Sequence, residues 1–161
     1  MTTSGRQALI ARYKAGYGEV VEALQDIASE ELDWRAAPGE WSAREVVHHL
    51  ADSETIAGIR FRRLLTEESP VIQGYDEGVY ARRLRYAERP MEPALQAFRA
   101  ARTTTAELFD AMTEADWKRA GIHTESGPYS AAHWLESYAA HAHDHAAQIR
   151  QARAAWATRR A

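Results

Sequence analysis

The sequence predicts an all-α protein: a bundle of four long helices with a short irregular or helical insertion between the second and third. Apolar residues recur at three- and four-residue steps along four long segments, which is the pattern of amphipathic helices. No segment alternates convincingly between apolar and polar residues, as a half-buried strand would. At 161 residues the chain has the usual size of one domain, so we expect a single domain over residues 1–161.

The first two helices are predicted from the spacing of their apolar residues and from residues that cap or end a helix. Helix one is expected over about residues 4–28, and the Pro-Gly turn at residues 38–39 separates it from helix two. Ser42, followed three residues later by Glu45, forms a capping box where helix two should start, and Pro70 forbids its continuation. The inward stripe of helix one comprises Leu9, Tyr13, Tyr17, Val20, Leu24 and Ile27. That of helix two comprises Val46, Leu50, Ser53, Ala57, Phe61 and Leu64.

The second half of the chain predicts two further long helices. Residues 69–89 are less regular and form the insertion, with a short helix expected around residues 77–86. Pro93 suits the first turn of helix three, and Ser130 can cap helix four after a loop at residues 121–128. The buried face of helix three is expected to comprise Leu95, Phe98, Thr105, Leu108 and Met112, with Trp117 closing its end. That of helix four is expected to contain Trp134, Leu135, Tyr138, Ile149 and Trp156.

Composition excludes several kinds of site. The chain has no cysteine, so disulfides, thiolate metal sites and a cysteine nucleophile are impossible, and any metal must be held by His, Asp or Glu. A formal net charge of −3 gives no general attraction to nucleic acid. The four arginines between residues 82 and 89 are interpreted as a solvated face. With neither a signal-peptide core nor a long apolar run, we expect a cytoplasmic protein that binds no membrane.

Helical geometry separates the histidines into inward and outward groups. At about 100° per residue, His49 lies about 60° from the stripe of helix two, whereas His48 lies about 160° away and is expected to face water. On helix four, His141 and His145 lie about 60° and 20° from Tyr138, whereas His143 lies about 140° away. Three unpaired buried imidazoles would be costly, and a shared metal ion would remove that cost. Two hydrogen-bonded core histidines on helix four remain the alternative. His123 and His133 are expected at the surface.

Two motifs carry a resemblance to a known family. The segment Trp41-Ser42-x-x-Glu45-x-x-x-His49-Leu50-Ala51-Asp52-Ser53-Glu54 resembles the helix-two signature of the DinB/YfiT-like superfamily. The segment His141-x-x-x-His145-Ala146-Ala147-Gln148-Ile149 is similar to its closing motif, although many members carry Leu at the position of Ala146. The resemblance implies an up-down-down-up four-helix bundle. It also implies that His49, His141 and His145 bind one divalent metal ion, such as nickel or zinc.

Three neutral imidazoles would leave at least one coordination position open, which is typical of a catalytic rather than a structural site. Asp52 and Glu45 lie one turn either side of His49 and are candidate acid-base residues, or partners for its second ring nitrogen. Asp144 and Gln148 flank His145 in the same way. The alternative for each of the four is a solvated flank.

Some members of the superfamily are thiol-dependent transferases or isomerases. The first hypothesis is therefore a metal-dependent S-transferase that conjugates a low-molecular-weight thiol to a small-molecule substrate. A metal-dependent hydrolase is the alternative, and a non-catalytic metal- or ligand-binding bundle is the rival from another class. Apolar surface around the insertion also predicts a homodimer.

Overall fold

The computed structural model describes residues 2–159, and it confirms the predicted helical bundle. Its helices are α1 (Thr3–Ala23), α2 (Ser29–Leu32), α3 (Ala43–Thr66), α4 (Glu77–Arg83), α5 (Met91–Phe109) and α6 (Ala131–Thr158). A single 3-10 turn spans Asp116–Lys118, and three short strands are β1 (Val71–Ile72), β2 (Ala120–His123) and β3 (Gly127–Ser130). The long helices α1, α3, α5 and α6 form the bundle, and α4 is the short helix expected in the insertion.

Helices α3 and α5 lie side by side and run in the same direction. Near the start of α3, Arg44 Nη1 donates to the carbonyl oxygen of Arg89, just before α5, at 3.2 Å. Near the end of α3, Arg62 Nη1 donates to Thr105 Oγ1 on α5, also at 3.2 Å. The two helices are therefore parallel. The connection through α4 returns the chain to the end of the bundle at which α3 begins.

Helices α1 and α6 form the second parallel pair. Arg12 Nε donates to the Ala139 carbonyl oxygen at 3.2 Å, and Arg153 Nη1 donates to the Ala23 carbonyl oxygen at 2.8 Å. Both α1 and α6 pack against the other pair, α1 against α5 and α6 against α3. Helices α3 and α6 are antiparallel, so the chain follows the up-down-down-up order.

Helix ends follow local chemistry. The capping box at the start of α3 is confirmed, because Ser42 Oγ accepts from Glu45 N at 3.3 Å and Glu45 Oε2 accepts from Ser42 N at 2.9 Å. Helix one was predicted to reach residue 28, but α1 ends at Ala23. Asp26 adopts a positive φ of 56°, which a right-handed helix cannot continue through.

The small sheet was not predicted. Residues 121–128, expected as a loop, contribute to the antiparallel hairpin β2–β3, and β1 from the insertion pairs in parallel with β2. Strands of two to four residues are too short to show an alternating pattern. Gly121 permits the close approach of the two segments, since a Cβ there would lie 2.1 Å from the Pro70 carbonyl oxygen.

The predicted buried faces are largely confirmed. All six stripe residues of α3 are buried, and Trp134 lies at the centre of an aromatic cluster with Tyr13, Phe61 and Phe109. Within residues 2–159, none of the helices combines the length and apolarity needed to cross a bilayer. Val71 and Ile122, paired across β1 and β2, are more than half exposed. They mark apolar surface near the insertion, and the homodimer stays a prediction.

Candidate metal centre

The structure brings together the three histidines that the sequence selected. One ring nitrogen from each of His49, His141 and His145 lies within 4.8 Å of the other two. Two of them, His49 Nε2 and His141 Nε2, are 3.2 Å apart. The His49 side chain is almost fully buried, whereas those of His141 and His145 are partly exposed. These nitrogens form a compact donor set of the kind that a small divalent ion takes.

The position of the cluster follows from the antiparallel contact of α3 and α6. His141 and His145 are four residues apart on α6, so their side chains lie on one helical face. His49 reaches the same point from the second turn of α3. Trp41, just before α3, packs against the His49 ring with 4.8 Å between centroids. Helices α3 and α6 therefore position the three imidazole rings, and Trp41 packs against the ring of His49.

Burial keeps two of the three histidines, His49 and His145, neutral. Desolvation, with a smaller contribution from charge repulsion by the neighbouring His145 and His141, lowers the pKa of His49 to about 3. Desolvation, together with His141, lowers the pKa of His145 to about 4, partly opposed by its hydrogen bond to Gln148. Neutral imidazoles keep a lone pair for a metal ion, so the donor set fits a divalent cation at neutral pH.

These pKa shifts predict that the metal-free protein loses stability as the pH falls below about 6.5, the ordinary pKa of histidine. His49 and His145 remain neutral in the folded state down to about pH 3 and pH 4. Between those values and about pH 6.5 the unfolded chain binds more protons than the folded protein. The free energy of unfolding therefore decreases as the pH is lowered through this interval. Urea unfolding with a chelator present, at about pH 7 and about pH 5, measures this loss. The double variant His49→Gln/His145→Gln should lose less over the same interval, and an equal loss would contradict the interpretation.

Four flanking residues were candidates for a role at the site, and one of them contacts a metal-binding candidate. Gln148 Oε1 accepts a hydrogen bond from His145 Nδ1 at 2.8 Å. Asp52 instead accepts from the Tyr86 hydroxyl at 2.6 Å, and Glu45 is held by Arg35 and by the capping box. Asp144 is exposed. Asp52 and Glu45 therefore serve helix packing and capping contacts in this structure.

The remaining histidines lie outside the cluster, but the prediction for His48 is wrong. His48 is 1% exposed, its Nε2 lies 3.2 Å from the Arg89 carbonyl oxygen, and its ring stacks on Tyr86. The segment after α4 covers this side of α3, which the helical angle alone could not reveal. His143 Nε2 contacts the Arg12 carbonyl oxygen at 2.9 Å on the α1 side. His133 is exposed as expected, and partly buried His123 lies in β2 rather than a loop.

One residue that the sequence analysis passed over lies directly behind the cluster. Glu54 is 1% exposed, and its Oε1 lies 3.7 Å from His141 Nδ1. Its partner is Arg102, which is 3% exposed on α5. A signal was present, since Arg102 follows Phe98 by four residues on a face otherwise expected to be buried. A charged residue on such a face requires a buried carboxylate.

The fold and the site together define a four-helix bundle with three converging histidines between antiparallel helices. The model of the DinB superfamily matches residues 12–149, and the chain belongs to that superfamily. A relative from Oceanobacillus iheyensis, named "Putative metal-dependent hydrolase", is 37% identical over 124 residues, which is 77% of this chain and 72% of the relative. A Bacillus mycoides protein of the same name is 31% identical over 131 residues, 81% of this chain and 75% of that protein.

Solved structures show the same fold. YfiT from Bacillus subtilis, described as "a probable metal-dependent hydrolase with an unusual four-helix bundle topology", superposes with a TM-score of 0.91 at 25% identity. The match covers 98% of this chain and 90% of YfiT. A mycothiol-dependent maleylpyruvate isomerase superposes with a TM-score of 0.72 at 14% identity, over 92% of this chain and 63% of the isomerase. This second likeness is one of fold.

Proposed function

We propose that this protein is a metal-dependent enzyme in which His49, His141 and His145 hold one divalent ion, nickel or zinc. The observation that carries the proposal is the convergence of three histidine ring nitrogens, with no fourth residue in the group, among residues 2–159. A three-ligand site leaves positions for water or substrate. A bound ion would supply a Lewis acid that lowers the pKa of the nucleophile, whether water or a thiol.

The three carboxylates of α3 nearest the histidines favour a thiol as the nucleophile. Glu54 is paired with Arg102, Asp52 accepts from Tyr86, and Glu45 is held by Arg35. Each of these three carboxylates already has an ion-pair or hydrogen-bond partner, which disfavours it as a base for water. A thiol is acidic enough to ionise at a metal centre without such a base. Because the chain has no cysteine, the thiol must come from outside. We therefore propose an S-transferase that conjugates a low-molecular-weight thiol to a small electrophile.

A pocket lined by two residues that contact the histidines, though not by the histidines themselves, is suited to a small polar molecule. A pocket of about 440 Å³ is bordered by Trp41, which packs on His49, and by Gln148, which bonds His145. Glu40 and Gln151 also line it and add polar groups. Ligand pockets typically span roughly 300–1,000 Å³, so the pocket can take a molecule of the size of a modified cysteine.

Hydrolysis is the second candidate function, and the names of the relatives favour it. The relatives from Oceanobacillus iheyensis and Bacillus mycoides are both named "Putative metal-dependent hydrolase". In that case water would be the nucleophile, and the histidine cluster would be the same. The two reactions differ in whether activity requires an added thiol.

Adding small thiols to the cobalt-loaded protein is expected to produce a sulfur-to-cobalt charge-transfer band, because the ion has an open position. The His145→Ala variant should show no band, whereas His143→Ala, which alters a histidine outside the cluster, should behave as the wild type. Absence of a band with every thiol tried, together with thiol-independent hydrolysis of esters or amides, would overturn the transferase and favour the hydrolase. Metal binding without either reaction would favour a non-catalytic bundle.

A further inference from the structure

His141 has an unused ring nitrogen on the side away from the cluster. Its Nε2 faces His49 Nε2, whereas its Nδ1 is buried and has no hydrogen-bond partner within residues 2–159. His145 differs, because its Nδ1 donates to Gln148. The acceptor facing His141 Nδ1 is Glu54 Oε1, at 3.7 Å, which is slightly too long for a hydrogen bond.

The carboxylate of Glu54 is held firmly in this position. Its side chain is fully buried, and Arg102 Nη1 donates to Oε1. The Tyr13 hydroxyl donates to Oε2 at 3.3 Å. These contacts leave one Oε1 lone pair unused, and Oε1 lies 3.7 Å from the unpaired His141 Nδ1. A carboxylate buried this deeply is costly unless its partners are in place, so its position is well determined.

Arg102 is itself fixed by the main chain of two other helices. Its Nη2 donates to the Tyr13 carbonyl oxygen at 2.6 Å and to the Tyr138 carbonyl oxygen at 3.2 Å. Gly16 provides the space for it, since a Cβ there would lie 2.7 Å from Arg102 Nη2. All four long helices therefore help to position the Glu54 carboxylate behind His141.

We propose that Glu54 is a positioning residue for His141: it accepts the Nδ1 hydrogen and so directs the Nε2 lone pair into the cluster. The inference rests on the proposed metal centre and deepens it. An acceptor behind a metal-binding histidine fixes the ring tautomer and orientation and makes the ligand more basic. Arg102 acts one step further away, by orienting Glu54. Gln148 gives His145 a matching acceptor.

The structural alternative is that Glu54 serves Arg102 alone, and paired double variants separate the two roles. Removing Glu54 alone would leave Arg102 as a buried unpaired charge and unfold part of the protein, so both charges are removed together. Glu54→Leu/Arg102→Met lacks any acceptor for His141, whereas Glu54→Gln/Arg102→Met retains an amide oxygen. Glu31→Leu/Arg153→Met removes a 2.7 Å ion pair between α2 and α6 and serves as the control.

Zinc affinity, measured by competition with a chromophoric chelator, is expected to fall about 10- to 100-fold in Glu54→Leu/Arg102→Met. Glu54→Gln/Arg102→Met should bind zinc about tenfold more tightly than that variant, and its cobalt absorption spectrum should return towards that of the wild type. The control should bind as the wild type does. Equal affinities in both Glu54 variants would overturn this inference and leave the metal centre intact. Failure of the wild type to bind either zinc or nickel would overturn the proposed function, and this inference with it.

Discussion

Replacing any one of His49, His141 and His145 with alanine is expected to weaken zinc binding by more than about 100-fold, beyond the usual effect of losing an outer-shell partner. Each side chain supplies one of three converging nitrogens, and two nitrogens cannot form the three-ligand site. Because the ligands come from two rigid helices, no neighbouring side chain replaces the lost one. Zinc competition titrations on protein without a histidine tag measure the effect directly.

The matched controls are His133→Ala and His143→Ala on the same helix. His133 is exposed, and His143 contacts the Arg12 carbonyl oxygen rather than the cluster. Both variants should bind zinc as the wild type does. His48→Ala should also keep the zinc site but lose some stability, because His48 is buried against Tyr86. Full occupancy in a variant of His49, His141 or His145 would remove that residue from the proposed ligand set.

Truncating Trp134 to alanine is expected to lower the free energy of unfolding by about 3–5 kcal/mol, the usual cost of removing a large buried aromatic side chain. Trp134 is 0% exposed and packs against Phe61, Tyr13 and Tyr138. Its Nε1 also donates to the Ala57 carbonyl oxygen at 3.0 Å, which joins α6 to α3 about two helical turns from the histidines. Urea denaturation with a chelator present gives the change without a contribution from metal binding.

Trp156 provides the comparison for this effect, because it lies on the same helix but is partly exposed. Its ring contacts Trp34 with 5.7 Å between centroids, outside the central aromatic cluster. Trp156→Ala should therefore cost clearly less stability than Trp134→Ala. Equal losses would show that the cluster around Trp134 does not dominate the stability of the bundle.

The histidine cluster was accessible from sequence because it depends on helical periodicity alone. Once α3 and α6 were placed, the angles of His49, His141 and His145 selected them without knowledge of the packing. The same argument failed for His48, since it assumes that the far side of a helix faces water. In the structure Tyr86 and the Arg89 carbonyl oxygen cover that side.

Other features depend on contacts between distant segments, which periodicity does not report. The parallel pairing of β1 with β2 joins Val71 to Ile122 across two helices. Glu54 lies towards the edge of its helical stripe, and its role emerges when Arg102 from α5 and His141 from α6 meet it. Conversely, Asp52 and Glu45 were reasonable candidates by spacing, but the structure gives each a closer partner in Tyr86 and Arg35.

The central claim, that the three histidines form a divalent-metal centre with open coordination positions, is tested most directly by anomalous diffraction. Crystals of untagged, cobalt-loaded protein would be measured on both sides of the cobalt absorption edge. The account predicts one strong peak per chain, bonded to ring nitrogens of His49, His141 and His145 and otherwise to solvent. A peak at another place, or one whose remaining positions are filled by further protein side chains, would contradict it.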